Sequence, residues 1–306
     1  YREAMGGQHR TVRRATAVRV PWPVVGPVVP SAITESEYND SAAYADALGM
    51  AGTMPLQGNG DINTGERDWY SFTVPGEGRI TARLVGRGAS PVTSGRIEIY
   101  GEASLFPVAT FSSSSALPTG AIELPPGNYN VQVEANGSSG GYTVELAWVA
   151  VALPNSTPAS NLTVAVRAVP TCIRLVVPAE GTVDLRFAGG TIDTYFQLYD
   201  SKMNFLYEVD DDSRSANADA GLLTQLPVGL YYLQASSFGN TGNVMLGHTV
   251  TPGAIPSVAC SGSLTRSLPG GEEDLQFTKF VTATAQELKI SLQPGSATPS
   301  TDTYLI

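Results

Sequence analysis

The 306-residue sequence predicts an all-β protein: tandem antiparallel β-sandwich or jelly-roll domains behind an extended N-terminal arm. Three observations lead there. Glycine (32) and proline (21) punctuate the whole chain, as they do where short strands meet at tight turns. Between them run short segments that alternate polar and apolar residues, the period of a half-buried strand. The pattern also repeats. Leu124-Pro125-Pro126-Gly127-Asn128-Tyr129 returns as Leu226-Pro227-Val228-Gly229-Leu230-Tyr231, and Phe72-Thr73-Val74-Pro75-Gly76-Glu77-Gly78 as Leu175-Val176-Val177-Pro178-Ala179-Glu180-Gly181. The two offsets are nearly equal, so whole domains recur and not isolated motifs.

The strands fall into groups. The first holds Asp68–Val74, Arg79–Val85, Arg96–Tyr100, Val108–Phe111, Ala121–Leu124, Tyr129–Ala135 and Tyr142–Val149, a count suited to one sandwich. The second holds Leu162–Val169, Ile173–Val177, Val183–Phe187, Thr194–Tyr199, Phe205–Val209, Leu222–Gln225, Leu230–Ser236 and Val244–Val250. Linker compositions at 153–160 and 251–256 separate the units. A third copy starts near Cys260: Phe280 to Leu292 parallels the early strands, and Thr301-Asp302-Thr303-Tyr304 restates Ile192-Asp193-Thr194-Tyr195. Half a sandwich cannot bury its inner face, so the third unit is expected to continue past Ile306 or to be completed by another molecule. The expected division is an arm at 1–31, sandwiches at 32–152 and 159–252, and an incomplete third unit at 257–306. An acidic, alanine-rich stretch from Glu35 to Leu48 is expected to form one or two helical turns.

Charge limits the partners. The formal net charge is -10, which argues against nucleic acid, because phosphate binding needs a basic face. Before Ser31, however, Arg2, Arg10, Arg13, Arg14 and Arg19 face a single acid, Glu3. Four prolines break the valine-rich run from Val18 to Pro30, which suits an extended segment or an edge strand and not a central one. The arm either folds back on its own first domain or docks on the acidic surface of another copy. No run of eighteen apolar residues exists to span a membrane as a helix. The chain opens on Tyr1 without a basic-then-apolar leader, so any signal peptide is expected to have been removed.

Four features of the first unit line up: the opening Glu35-Ser36-Glu37-Tyr38-Asn39-Asp40, the run Asp68-Trp69-Tyr70-Ser71-Phe72, the Leu-Pro-x-Gly-x-Tyr turn, and the closing Gly141-Tyr142-Thr143-Val144. Their order resembles the bacterial pre-peptidase C-terminal domain, a small β-sandwich appended to many secreted peptidases and surface proteins. It is similar to the collagen-binding domains of clostridial collagenases. The second unit shares the turn and the Ile192–Asp200 run but has Thr171-Cys172-Ile173 in place of the Asp-x-Tyr pair. The resemblance implies a non-catalytic, exported bacterial module used in adhesion, substrate binding or secretion. It also implies calcium at Glu35, Glu37, Asn39, Asp40, Asp61 and Asp68, which supply the oxygens that calcium takes. A solvated acidic linker is the other reading of these residues.

A second acidic group, Asp193, Asp200, Asp210 and Asp211 (with Asp212), is a further calcium candidate, because crowded carboxylates repel unless something neutralises them. Cys172 and Cys260 are either a disulfide, as export favours, or two small buried hydrophobes.

Catalytic signatures are missing from the sequence. The two histidines, His9 and His248, lack a Ser/His/Asp context, and no nucleophile elbow, His-Glu-x-x-His or phosphate loop occurs. Paired carboxylates suit a glycosidase by residue type, but Trp22, Trp69 and Trp148 are the only tryptophans for sugar stacking. The expected function is that of a non-catalytic cell-surface or extracellular structural or adhesive protein, assembling with copies of itself or with other surface proteins through the arm. The alternatives are an accessory region of a larger secreted hydrolase and a free-standing module for a polymer ligand.

Overall fold

The computed structural model describes residues 32–36, 39–52, 54–113, 115–167, 169–188, 191–210, 219–238, 240–255, 257–259 and 279–281. The N-terminal arm, and all of the third unit except two short strands, lie outside them.

Ten strands arise between residues 33 and 150. They are β1 (Ile33–Thr34), β2 (Asp46–Met50), β3 (Leu56–Ile62), β4 (Arg67–Val74), β5 (Gly78–Arg87), β6 (Gly95–Gly101), β7 (Pro107–Ser113), β8 (Thr119–Leu124), β9 (Gly127–Ala135) and β10 (Gly140–Ala150). One sheet runs β1-β3-β10-β5-β8 and the other β2-β4-β9-β6-β7. Alternation within each strand supplies the core between them: Tyr70, Phe72 and Val74 of β4, and Ile80, Ala82 and Leu84 of β5, are buried while their neighbours are not.

Nine more strands make the second unit: β11 (Asn155–Ser156), β12 (Ser160–Val166), β13 (Thr171–Val177), β14 (Gly181–Ala188), β15 (Thr194–Tyr199), β16 (Phe205–Val209), β17 (Gly221–Leu226), β18 (Gly229–Ser237) and β19 (Gly242–Pro252). They form sheets ordered β11-β13-β18-β15-β16 and β12-β19-β14-β17, with a separate core of Ile173, Leu175, Val183, Leu185, Phe196 and Leu246. Last come β20 (Ser257–Ala259) and β21 (Lys279–Val281). Among the described residues no helix is long and apolar enough to cross a membrane.

The structure departs from the sequence-based expectation at the start of each unit. Among its described residues the expected helical stretch holds a three-residue 3-10 turn, Ala42–Tyr44, before the chain turns into β2. The described pairings between strands are antiparallel except for β1/β3, β2/β4, β11/β13 and β20/β21. Two of these parallel pairs, β2/β4 and β11/β13, recur as one device, in which a short lead-in strand skips the strand that follows it and lies beside the next. β11 does so inside the stretch with linker composition, with Asn155 opposite Arg174.

The repeated Leu-Pro-x-Gly-x-Tyr turn has a physical purpose. Tyr129 returns its hydroxyl to the Pro125 carbonyl at 2.9 Å, and Tyr231 to the Pro227 carbonyl at 3.1 Å. Each phenol satisfies a carbonyl at a sharp corner while its ring fills the core, as in the tyrosine corner of other sandwiches.

The two sandwiches pack against one another. Leu153, Cys172, Tyr199, Met203 and Tyr232 belong to the same buried cluster as the first sandwich's core. Phe106 meets Phe205 with ring centroids 5.1 Å apart, and Gln234 Nε2 donates to the Glu123 carbonyl at 2.9 Å. At Gly101 a side chain would run into the Met203 carbonyl, so glycine permits the backbones to approach here.

Candidate functional site

The ends of β4 and β10 bring a cluster together under the first described residues of the chain. β4 places Asp68 and Tyr70 on the same, inward face two residues apart, and β10 brings Tyr142 beside them. β1 pairs with Gly58 and Asn59, so Glu35, directly after it, falls over the same spot.

The contacts are close. Tyr142 donates to Asp68 Oδ2 at 2.7 Å, and its oxygen lies 2.7 Å from the Tyr70 hydroxyl. Glu35 Oε2 is 3.2 Å from the Tyr70 hydroxyl and 3.0 Å from that of Tyr142. Glu35 Oε1 accepts the backbone N–H of Asp61 at 2.6 Å. Two glycines of β3 make room. A Cβ at Gly58 would sit 2.7 Å from the Tyr70 ring, and one at Gly60 would strike the Glu35 carboxylate.

Electrostatics make the cluster unusual. Asp68 is 6% exposed. Burial pushes its carboxyl up to about 8; the Tyr142 hydrogen bond opposes this, and the negative charges of Glu35 and Glu66 add to it. Burial likewise raises Tyr70 and Tyr142 far above the ordinary phenol range, so both remain hydroxyl donors. The charged groups acting on Asp68 are thus acids, and they favour its protonated form.

Of the six residues expected to hold calcium, Glu35 and Asp68 converge here, and Asp61 contributes its amide. Asn39 is buried and ties the acidic opening to the sandwich. Its side-chain amide donates to Asp46 at 3.2 Å and to the Trp69 carbonyl at 3.5 Å, and its backbone carbonyl accepts from Trp69 N–H at 3.0 Å. Asp40 is exposed, and Glu37 lies outside the described residues. Among the described residues no three acidic, histidine or cysteine side chains converge.

The second acidic group does not act as a unit. Asp200 sits at the β15–β16 turn and caps it, accepting from Lys202 N–H at 2.8 Å, Asn204 N–H at 2.9 Å and the Asn204 amide at 2.9 Å. Asp193 and Asp210 lie at the open end of the same hairpin, a strand length of about 20 Å away. Asp200 therefore cannot share an ion with them. Asp211 and Asp212 lie outside the described residues. Cys172 is a free thiol, fully buried at the junction, with its ionisation pushed up by burial; Cys260 lies outside the described residues.

His248 has a partner that the sequence did not reveal: Ser156 Oγ lies 3.2 Å from its Nδ1. Both side chains are buried, at 0% and 1% exposure for the serine and the histidine, so the pair is closed to solvent and to any substrate. Burial lowers the histidine to about 4. The pairing arises because β11, hidden in linker composition, belongs to one sheet of the second sandwich and β19 to the other, with His248 in the interior of β19 between Ser160 and Leu185.

No protein-family model matches the sequence, and no curated relative matches it. Among solved structures the chain is similar to the pre-peptidase C-terminal domain of a collagenase from Bacillus anthracis, at 17% identity over 34% of this chain and 96% of that one, with a TM-score of 0.27. It is also similar to the CUB1-EGF-CUB2 region of human MASP-1/3, at 8% identity over 63% of this chain and 99% of that one, TM-score 0.20. The full extracellular region of zebrafish Gpr126/Adgrg6 matches at 11% identity over 69% of this chain and 34% of that one, TM-score 0.22.

Proposed function

We propose that this chain is a non-catalytic, exported structural or adhesive protein of β-sandwich repeats, in which calcium fastens the segment ahead of the first sandwich to its body. One observation carries the reading. The Glu35 and Asp68 carboxyls meet across two tyrosine hydroxyls, with Asp68 buried and acted on by one further acid, Glu66. Calcium prefers such oxygen donors in a flexible set of six to eight, and Glu37, Asn39, Asp40 and Asp61 are the candidates the sequence offers for the remaining ones. Extracellular calcium modules bind at about 10⁻⁴–10⁻³ M, and an exported protein is expected to fall in that range.

A site that grips the chain ahead of the sandwich also sets where the N-terminal arm leaves it. The arm is basic and the rest of the chain acidic, which favours docking of the arm on a neighbouring copy at a bacterial surface.

Titration calorimetry with calcium tests the site. The expected result is one binding event per chain that Asp68→Asn and Glu35→Gln each abolish. Absence of calcium binding in the wild-type protein overturns it. Deleting residues 1–30 tests the arm: assembly is expected to fail while the sandwiches keep their melting temperature, and surviving assembly overturns the docking.

A further inference from the structure

The junction between the two sandwiches is built from few parts. In the turn Pro75-Gly76-Glu77-Gly78, the Glu77 carbonyl accepts from Val151 N–H at 3.2 Å. Its carboxylate accepts from Leu153 N–H at 3.1 Å and pairs with Arg174 at 2.9 Å. Leu153 is buried, and Arg174 N–H holds the Pro154 carbonyl at 2.8 Å. The lead-in strand β11 then pairs with β13 so that Asn155 faces Arg174. One carboxylate therefore reads both the linker and β13 of the next unit.

The same parts stand at the far end of the second sandwich. The turn is Pro178-Ala179-Glu180-Gly181, and the Glu180 carbonyl accepts from Gly253 N–H at 3.0 Å. Leu153-Pro154-Asn155 returns as Ile255-Pro256-Ser257, and Ile255 is 4% exposed against 5% for Leu153. β20 pairs with β21 in parallel with Ser257 opposite Lys279. The register thus puts a cation, Lys279, at the position that Arg174 holds in the first junction, and Phe280 at that of Leu175. The chain has only three lysines, and one falls here.

We infer that the end of the second sandwich, at Glu180, Gly253 and Ile255, is a docking surface for the unit that opens at Ser257. Glu180 takes the part of Glu77, and Lys279 that of Arg174. Two junctions of one design relate successive units by the same rotation and translation, so the repeats advance as a regular screw and do not swing as beads on linkers. The inference rests on the repeat organisation and not on calcium, so failure of the metal site leaves it standing.

Amide hydrogen exchange on the full chain tests it, with Glu180→Lys, Lys279→Glu and the double reversal. Each single change is expected to speed exchange at Gly253 and Ile255 at least about tenfold, and the double to restore most of the protection. Glu77→Lys, Arg174→Glu and their double provide the same measurement on the observed junction. Unchanged exchange in Lys279→Glu, or a double that is merely the product of the singles, overturns the inference. Lys279 lies outside the second sandwich, so its variant reports even where Glu180→Lys disturbs β14.

Discussion

Tyr142 donates its hydroxyl to Asp68 across 2.7 Å in the first sandwich, and Asp68 holds a proton up to about pH 8. In the unfolded chain the same carboxyl ionises near its ordinary value of 3.8. Between those values the unfolded chain has released a proton that the fold retains, so stability falls as pH rises from about 4 to about 8. On the proposed reading calcium takes the place of that proton, and its stabilisation is expected to be largest toward pH 8. Melting curves across this range, with calcium and with chelator, measure the effect. Asp68→Asn is expected to flatten the chelated profile, to stabilise the metal-free protein at pH 8 by about 1–3 kcal/mol, and to remove the calcium response. A chelated profile without this slope refutes the assignment.

Gly60 lies under the Glu35 carboxylate. Gly60→Ala is expected to push Glu35 aside and weaken calcium affinity at least about tenfold, while the sheet pairing of β3 with β10 survives. Calorimetry and far-ultraviolet circular dichroism separate the two effects. Wild-type affinity in this variant places the ion elsewhere.

His248 carries the opposite pH signature. The fold keeps it neutral down to about 4, while the unfolded chain takes up a proton near 6.5, so stability is lost as pH falls from 6.5 to 4. The loss is at most about 3 kcal/mol. By register His248 occupies the place of Leu146 in the first sandwich, since it pairs with Leu185 as Leu146 pairs with Ala82. His248→Leu combined with Ser156→Ala is expected to remove the acid slope and keep the fold. A slope that persists in chemical denaturation at pH 4 and 6.5 locates the titration in another group.

The paired tyrosine corners give a repeat-wise test. Tyr129→Phe and Tyr231→Phe each remove one hydrogen bond and leave a proline carbonyl without its phenol, at a cost of about 1 kcal/mol apiece. The two sites lie in different sandwiches, so the double variant is expected to add. Urea midpoints check both statements.

Gly101 reports on the contact between sandwiches. Gly101→Ala forces the Met203 backbone away and is expected to cost about 1–3 kcal/mol, with loss of protection spread over both units. Exchange confined to β6 shows instead that the sandwiches are energetically independent.

Much of the fold is legible along the chain because alternation and turn chemistry are local. Thr194–Tyr199 and Phe205–Val209 fall where the period of two puts them, and most of the other long strands fall within two or three residues. β3 is the informative miss. Its sequence, Leu-Gln-Gly-Asn-Gly-Asp-Ile, looks like a loop because glycines 58 and 60 break the pattern. Those glycines are required by Tyr70 and Glu35, which lie against them from elsewhere in the chain. A glycine inside a strand marks a close approach, and that was the available signal. The lead-in strands β2 and β11 were hidden likewise, since their partners lie across the fold.

The sequence by itself determined the all-β class, the repeat and its turns, and the residue types of an acidic site, because each depends on neighbours a few positions apart. Tertiary structure alone decided that Glu35 and Asp68 meet across Tyr70 and Tyr142, that Asp200 caps a turn far from Asp193 and Asp210, and that Ser156 reaches His248. The first and last of these join residues tens of positions apart, and all three distances arise from sheet order, strand length and register, which a one-dimensional pattern does not contain.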